Sequence, residues 1–387
     1  MRAQGLLQLL GSAGRRKSLT KAAITLFIGL LFLQLLPRDA KVFLLSQPLA
    51  TSCTSEQIEE HYSCDGDSRK SDIPNIVNFV YILKDPVSGT FPLQFSHYLS
   101  LFAAWYRWRP DIIYLHTNVE ANSSAVLHAQ SGAAGKWAQR FFEIPGLVIN
   151  KVSVPTHAGN GKELIKMEHK SDFVRVQAVY QFGGIYIDMD VHALRDITTL
   201  RTAGYGGVAG WQGDGFINSG TFMSEKGGRM ARLWMERMNQ VYDGAWTTHS
   251  NRALTKLADE LRKEPCEMLA VKPAVFAPMG WRWFHSERLL SEHFEASGFY
   301  FDEAGNLPEF PEDFAEPVNA MSWSRDWRCT ILLHAFSAKK ERNGIIDNGI
   351  SPRYVIERTS NFARAVYPMV RVMYEKGFID KQDIGLP

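Results

Sequence analysis

The stretch KSDFVRVQAVYQFGGIYIDMDV, Lys170 to Val191, decides how this chain folds. Ser171 and Asp172 are residues that start helices. Phe173, Val174, Val176, Val179 and Tyr180 then recur at spacings that keep one face apolar for about three turns. Gly183 and Gly184 stop that helix, because paired glycines permit a tight turn that other residues resist. From Ile185 to Val191 apolar residues alternate with Tyr186, Asp188 and Asp190, the pattern of a strand with one buried face. That reading sets Tyr186 and both carboxylates on the opposite face. Two carboxylates near the carboxyl end of a strand suit a hard divalent cation, which takes oxygen ligands and leaves positions open for a diphosphate. The pair alone is a weak signal, since Asp65 and Asp67 form another in a polar stretch that reads as a solvated turn. What sets Asp188 and Asp190 apart is the helix, glycine pair and strand before them.

Outward from this stretch, strands and helices alternate. Ile76 to Ile82 is largely apolar, as in a strand buried inside a parallel sheet. Leu93 to Trp108 reads as a helix with Tyr98, Leu99, Phe102, Trp105 and Tyr106 on its apolar side, where the aromatics are core residues. Ile112 to His116 and Leu147 to Val154 read as further strands, with His116 structural rather than a ligand, and Thr156 to Lys162 reads as a mobile loop. Beyond the central stretch, Val208 to Trp211 reads as a strand, and Met230 to Tyr242, Arg252 to Arg262 and Asn361 to Lys376 as helices. Such alternation predicts an open, mainly parallel α/β sheet with helices on both faces. Ligands of such sheets bind beyond the carboxyl ends of the strands, where Asp188 and Asp190 fall.

Lys and Arg total 43 against 41 Asp and Glu, scattered along the chain with a formal net charge of +2, so no nucleic-acid footprint is present. Cys53, Cys64, Cys266 and Cys329 show no Cys-x-x-Cys spacing, which argues against a zinc site. In an oxidising compartment Cys53 would pair with Cys64 and Cys266 with Cys329; buried free thiols are the alternative. Ala22 to Leu36 carries no charge and follows Arg15, Arg16, Lys17 and Lys21. At 1.5 Å per residue this run covers about 23 Å, short of the roughly 30 Å hydrocarbon core, so a spanning helix takes in flanking residues. No Ala-x-Ala site follows Pro37, which favours an uncleaved anchor over a signal peptide, with the basic end cytosolic and the remainder luminal. The expected boundaries are a cytosolic tail at 1–21, a transmembrane anchor at 22–36, a stem at 37–71 and a single domain at 72–387. Asn122-Ser123-Ser124 is a glycosylation sequon if that domain is luminal.

Ser171-Asp172, Arg175, Tyr180, Gly183-Gly184, Tyr186, Asp188 and Asp190 together resemble the sugar-nucleotide-binding core of glycosyltransferase family 32. That family includes fungal Golgi mannosyltransferases, inositol-phosphoceramide mannosyltransferases and animal α-1,4-glycosyltransferases. The resemblance implies a GT-A-like fold with Asp188 and Asp190 as the catalytic carboxylates. Asp190 would coordinate the metal directly, and Asp188 would share it or hold ribose or sugar hydroxyls. Asp172, Arg175 and Tyr186 would contact the donor, although Asp172 and Arg175, three apart on a helix, also suit a surface ion pair. The first strand would line the base pocket. Asn78 stands there where many relatives carry His, leaving the backbone and Val80 as nucleotide contacts. Phe216 to Thr221 resembles the family's next motif, with Asn218 facing the transferred sugar or forming a turn. Leu332 to Ser337 resembles the late motif in which a His returns to the site, so His334 is either a third metal ligand or a capped core histidine. Ala338-Lys339-Lys340 follows where relatives place Ser-Trp, with Lys339 or Lys340 as a phosphate contact. Trp281-Arg282-Trp283-Phe284-His285 either packs internally or stacks on an acceptor sugar.

The function implied is transfer of a hexose (mannose, galactose or N-acetylglucosamine) from a nucleotide sugar to a glycan or glycolipid hydroxyl, with retention. Manganese or another divalent cation would assist, in a single-pass type II protein of the Golgi membrane. A catalytically silent sugar-binding member of the fold is one alternative. A metal-dependent phosphodiesterase is another, but two-metal hydrolases cluster several His and Asp ligands and the histidines here are dispersed.

Overall fold

The computed structural model describes residues 34–37, 64, 72–293, 307, 323–336 and 349–385. Most of the expected anchor and stem, the Asp65 and Asp67 pair, and Lys339 and Lys340 lie outside these. Among the described residues no helix is long and apolar enough to cross a membrane. The chain divides into two compact units, Met1–Gln47 and Pro48–Pro387, and the second holds everything that follows.

Its centre is a seven-stranded sheet in the order β3-β2-β1-β4-β7-β6-β8. β1 (Ile76–Val80) pairs in parallel with β2 (Ile112–Thr117) and with β4 (Gly184–Ile187), and β2 pairs in parallel with β3 (Leu147–Lys151). Parallel neighbours need long crossovers. These are supplied by α1 (Phe95–Trp108), by α2 (Ser124–Gln130) with α3 (Lys136–Phe142), and by α4 (Met167–Phe182). Val77, Phe79, Ile185 and Ile187 point into a core shared with α1. Tyr186 and Phe222 point into the other core, under Val174 and Val176 of α4. The expected helices on both faces are present.

The other half of the sheet departs from the parallel expectation. β6 (Gly207–Trp211) and β7 (Ile217–Ser224) form an antiparallel hairpin closed by Gln212 N–H donating to the Phe216 carbonyl at 2.8 Å, and β7 runs antiparallel to β4. So short a loop cannot return a parallel strand. The result is a mixed, mostly parallel sheet, with β8 (Met268–Val271) again parallel to β6. Its functional consequence is that the amino end of β7 lies beside the carboxyl end of β4, with Ile187 opposite Thr221. Asn218 is therefore a strand residue, not a turn former.

Among the described residues the remaining named α-helices are α5 (Thr198–Arg201), α6 (Arg229–Val241), α7 (Ala253–Leu261), α8 (Pro273–Phe276), α9 (Trp283–Leu290), α10 (Pro352–Glu357) and α11 (Asn361–Glu375). A small second sheet pairs β5 (Val191–Ala193) antiparallel with β9 (Leu332–His334).

Three local readings are corrected. α4 begins at Met167, so Ser171 and Asp172 lie inside it rather than at its start; the Asp172 carboxylate is engaged by side chains instead of capping backbone. β4 ends at Ile187 rather than running to Val191. Asp188 N–H still donates to the Gly220 carbonyl at 2.8 Å, but Val191 N–H then closes a turn onto the Asp188 carbonyl at 3.0 Å. The alternation of Met189 and Val191 with the carboxylates is thus turn, then a strand of the second sheet. Finally, Cys64 pairs with Cys266, and Cys329 is also disulfide-bonded, which overturns both expected pairings and the free-thiol alternative. Cys64 N–H bonds to the Ala203 carbonyl and Cys266 accepts from Gly206 N–H, so the two meet through the segment leading into β6.

The glycine pair behaves as expected. Gly184 has φ +94°, and a Cβ there would stand 2.2 Å from the Ile76 carbonyl oxygen, closer than any side chain tolerates. His116 is structural: it is wholly buried, with Nε2 2.9 Å from Asn78 Oδ1 and Nδ1 2.9 Å from Asn150 Nδ2. Asn78 adds bonds to the Gly183 and Ile185 carbonyls. Its amide ties three strands together.

Candidate active site

The turn after β4 places Asp188 and Asp190 at the carboxyl edge of the sheet. The pairing of β5 with β9 sets Val191 opposite His334, and Ala335 N–H donates to the Asp190 carbonyl at 2.9 Å. His334 is carried in this way to the carboxylates, with its Nε2 3.3 Å from Asp190 Oδ1. One ligand atom from each of Asp188, Asp190 and His334 lies within 4.8 Å of the others.

The chemistry of this set fits a divalent cation. His334 Nδ1–H donates to Asn218 Oδ1 at 3.2 Å, a bond that turns the Nε2 lone pair toward Asp190. Two carboxylates and an imidazole suit a hard to borderline ion such as manganese. Without an ion, burial pulls the His334 pKa down, but Asp190 and then Asp188 outweigh it and raise it. The carboxylate pair thus recruits positive charge from whatever source stands near. Asp188, for its part, has its pKa raised by burial, opposed by Arg175.

Arg175 joins this centre to the middle of α4. Its guanidinium bonds to Asp172, lies 3.2 Å from Asp188 Oδ1, and donates to the Ser219 carbonyl at 3.0 Å. It also sits 5.0 Å over the ring of Tyr186, whose hydroxyl donates to Asp188. Burial opposes the charge on Arg175, yet Asp172 and Asp188 hold it on and raise its pKa. Tyr186 is held neutral, chiefly by burial. Asp172 and Arg175 are each only 7% exposed, so the pair is a buried network and not a surface ion pair.

Several participants had no readable signal in the sequence. His249, in a π-helical turn at Thr248–Arg252, is wholly buried and bonds through Nε2 to Asp172 Oδ2 at 2.8 Å. Both oxygens of Asp172 are therefore engaged by the protein. Ser219 bonds to Asn251 at 2.7 Å. Gly220 matters for what it lacks, since a Cβ there would lie 2.5 Å from Asp188 Oδ2 and 2.7 Å from His334 Cε1. A π-helix is frequent at functional sites but leaves no local pattern to read.

The family described as "Glycosyltransferase sugar-binding region containing DXD motif" matches residues 100–205, which hold Arg175, Asp188 and Asp190. That part of the chain is similar to a DXD glycosyltransferase region. Glucan organizing enzyme 1 of Cryptococcus neoformans var. grubii serotype A is 25% identical over 247 residues, a match covering 59% of this chain and 61% of that protein. The chain thus spans about three-fifths of that relative's length. The solved structure of PaToxG Glycosyltransferase aligns with a TM-score of 0.37 and 12% identity, over 49% of this chain and 69% of the other.

The structure brings together Asp172, Arg175, Tyr186, Asp188, Asp190, Asn218 and His334. Asp172 and Arg175 enter from α4, Tyr186 and Asp188 from β4 and its turn, and Asn218 and His334 from after the DXD region. Asn218 does not present a free amide: it holds His334, accepts from Gly220 N–H at 2.7 Å, and donates to Gln212 at 2.7 Å. Val80 ends β1, and the register Asn78 to Tyr186 sets it level with Asp188 two residues further on. Its side chain packs in the core under α4.

Proposed function

We propose that this protein is a GT-A-like, metal-dependent hexosyltransferase. It would move a mannose, galactose or N-acetylglucosamine unit from a nucleotide sugar to a hydroxyl of a glycan or glycolipid, with retention. The observation that carries the proposal is the convergence of Asp188, Asp190 and His334 within 4.8 Å beside a buried Arg175. Asp190, Asp188 and the Nε2 of His334 would hold the cation. Manganese bound there would offset the charge developing on a departing nucleoside diphosphate. The chain's own part is preorganisation. Tyr186 and Arg175 fix the Asp188 carboxylate, Asn218 fixes the tautomer of His334, and Asp172, braced by His249, fixes Arg175. Such buried partners keep the set from relaxing during the reaction.

The name of the fungal relative concerns glucan organisation, which fits a glycan acceptor. The disulfide between Cys64 and Cys266 and the exposed Asn122 of the sequon support a luminal domain. On this reading residues 22–36 anchor the chain in the Golgi membrane.

The test is donor turnover by the purified full chain, offered GDP-mannose, UDP-galactose and UDP-N-acetylglucosamine in turn with manganese or EDTA, beside Asp190→Ala. Manganese-dependent release of one nucleotide, abolished by EDTA and by the substitution, is the expected result. Release that survives either treatment would overturn the metal-dependent reading.

A further inference from the structure

Three tryptophans of the domain are strongly exposed: Trp246 at 54%, Trp281 at 57% and Trp283 at 45%. An exposed indole presents a large aromatic face that is available for stacking. Trp246 has Lys166 at 5.3 Å over its ring. Trp281 differs in what holds it. Its indole N–H donates to Asp214 Oδ2 at 3.2 Å, while Arg282 stands 6.0 Å from the ring centroid. Asp214 lies in the loop of the hairpin between β6 and β7, the same hairpin that delivers Asn218.

From Asp214 a chain of hydrogen bonds leads inward without a break. Gln212 Nε2 donates to both Asp214 oxygens at 2.9 Å. Gln212 Oε1 accepts from Asn218 Nδ2 at 2.7 Å, and Asn218 Oδ1 accepts from His334, whose Nε2 is 3.3 Å from Asp190. Gln212 and Asn218 are only 4% and 3% exposed. The bonds from Gln212 through Asn218 to His334 are therefore buried, while Asp214 and its bond to Trp281 lie at the surface. Together they connect Trp281 to the carboxylates through Asp214.

We propose that Trp281 is the acceptor subsite, a stacking platform for a neutral pyranose ring. It is flanked by Asp214 and Arg282 and held in register with the metal site through Gln212, Asn218 and His334. This rests on the transferase reading above and names the part of the acceptor that is recognised. A pyranose offers a face of C–H groups to an aromatic ring and a rim of hydroxyls to charged neighbours. An indole anchored by its N–H, beside a carboxylate and a guanidinium, matches both. Because the anchor is a hydrogen bond at the ring edge, the ring is oriented before a sugar arrives, which lowers the entropy lost on binding.

The experiment uses the full chain with manganese and a nucleoside diphosphate present. Gluco-, manno- and galacto-tetraose are the probes, followed by saturation-transfer NMR and tryptophan fluorescence. At least one tetraose binds the wild type. Trp281→Ala weakens that binding roughly tenfold, as expected for loss of a stacked ring. Trp281→Phe restores most of it, and Trp246→Ala leaves it unchanged. An octyl glycoside of the bound sugar, run in parallel, tells a glycolipid headgroup from a free glycan. Equal binding by wild type and Trp281→Ala, or no tetraose bound by the wild type, would overturn the proposal. Donor hydrolysis by the same wild-type sample reports separately on the transferase reading. Its absence would sink that reading and leave the sugar platform to be judged by the NMR.

Discussion

Gly220→Ala probes the candidate centre without replacing any of its candidate ligands. Gly220 lies in the middle of β7 with a φ that alanine adopts freely, so the backbone raises no objection. The added methyl carbon would stand 2.5 Å from Asp188 Oδ2, 2.7 Å from His334 Cε1 and 3.0 Å from Asn218 Oδ1. Against an optimum separation of about 3.5 Å, the two nearest groups must retreat by roughly 1 Å. Neither can do so alone, since Tyr186 and Arg175 hold Asp188 while Asn218 holds His334. Overpacking of this kind costs about 1–3 kcal/mol of stability. A ligand set tolerates only about 0.5 Å of displacement, so the larger effect falls on the metal. Manganese affinity is expected to drop about 10- to 100-fold, the range seen when the groups that orient metal ligands are disturbed. Manganese titration followed by electron paramagnetic resonance measures this directly, with urea unfolding of the same samples to separate site damage from loss of fold. Wild-type manganese affinity in a folded Gly220→Ala protein would refute the assignment of Asp188 and His334 to one metal.

Three further outcomes follow from the same geometry. Arg175→Met leaves the buried Asp172 and Asp188 without their shared cation and should cost about 3–5 kcal/mol in urea unfolding. Adding Asp172→Asn should recover part of that loss, and strictly additive effects in the double-mutant cycle would contradict the network. His116 is neutral in its strand pocket, burial having lowered its pKa to about 4 from an unfolded value near 6.5. A depressed histidine gives full stability above the unfolded value and loses it as pH falls toward the folded one. Roughly 3 kcal/mol should therefore disappear between pH 6.5 and pH 4. His116→Gln should show a shallower decline in urea midpoint across that window, and identical pH slopes would exclude this origin. Cys64→Ser opens a link between residues 202 apart in sequence and should lower stability by about 2–5 kcal/mol. Equal melting temperatures for Cys64→Ser and the oxidised wild type would show that the link constrains little.

The approach to the site was readable because local forces set it. The apolar spacing of Phe173, Val174, Val176 and Val179 and the left-handed φ of Gly183 and Gly184 are settled within a few residues of chain. The same holds for β1 and β2, whose mainly apolar residues favour the interior. Reading failed where a local pattern had two meanings. Alternation from Ile185 to Val191 looked like one strand, yet only its first half pairs with β7, and the rest turns to meet β9. Asp172 looked like a helix start because its side chain suits that place equally well, until Arg175 and His249 claimed it.

By itself, then, the sequence determined α4, the glycine stop, β4 and the placement of the two carboxylates just beyond that strand, since each depends on neighbours along the chain. Only the tertiary structure decided that β7 reverses the sheet, that Cys64 meets Cys266, and that Gly220 leaves the space in which Asp188 and His334 converge. It also decided that His249 braces Asp172 and that Trp281 is tied by hydrogen bonds to the same centre. The reason is separation: these partners lie far apart in sequence, and what brings them together is the packing of whole strands and helices, which no short pattern of residue types encodes.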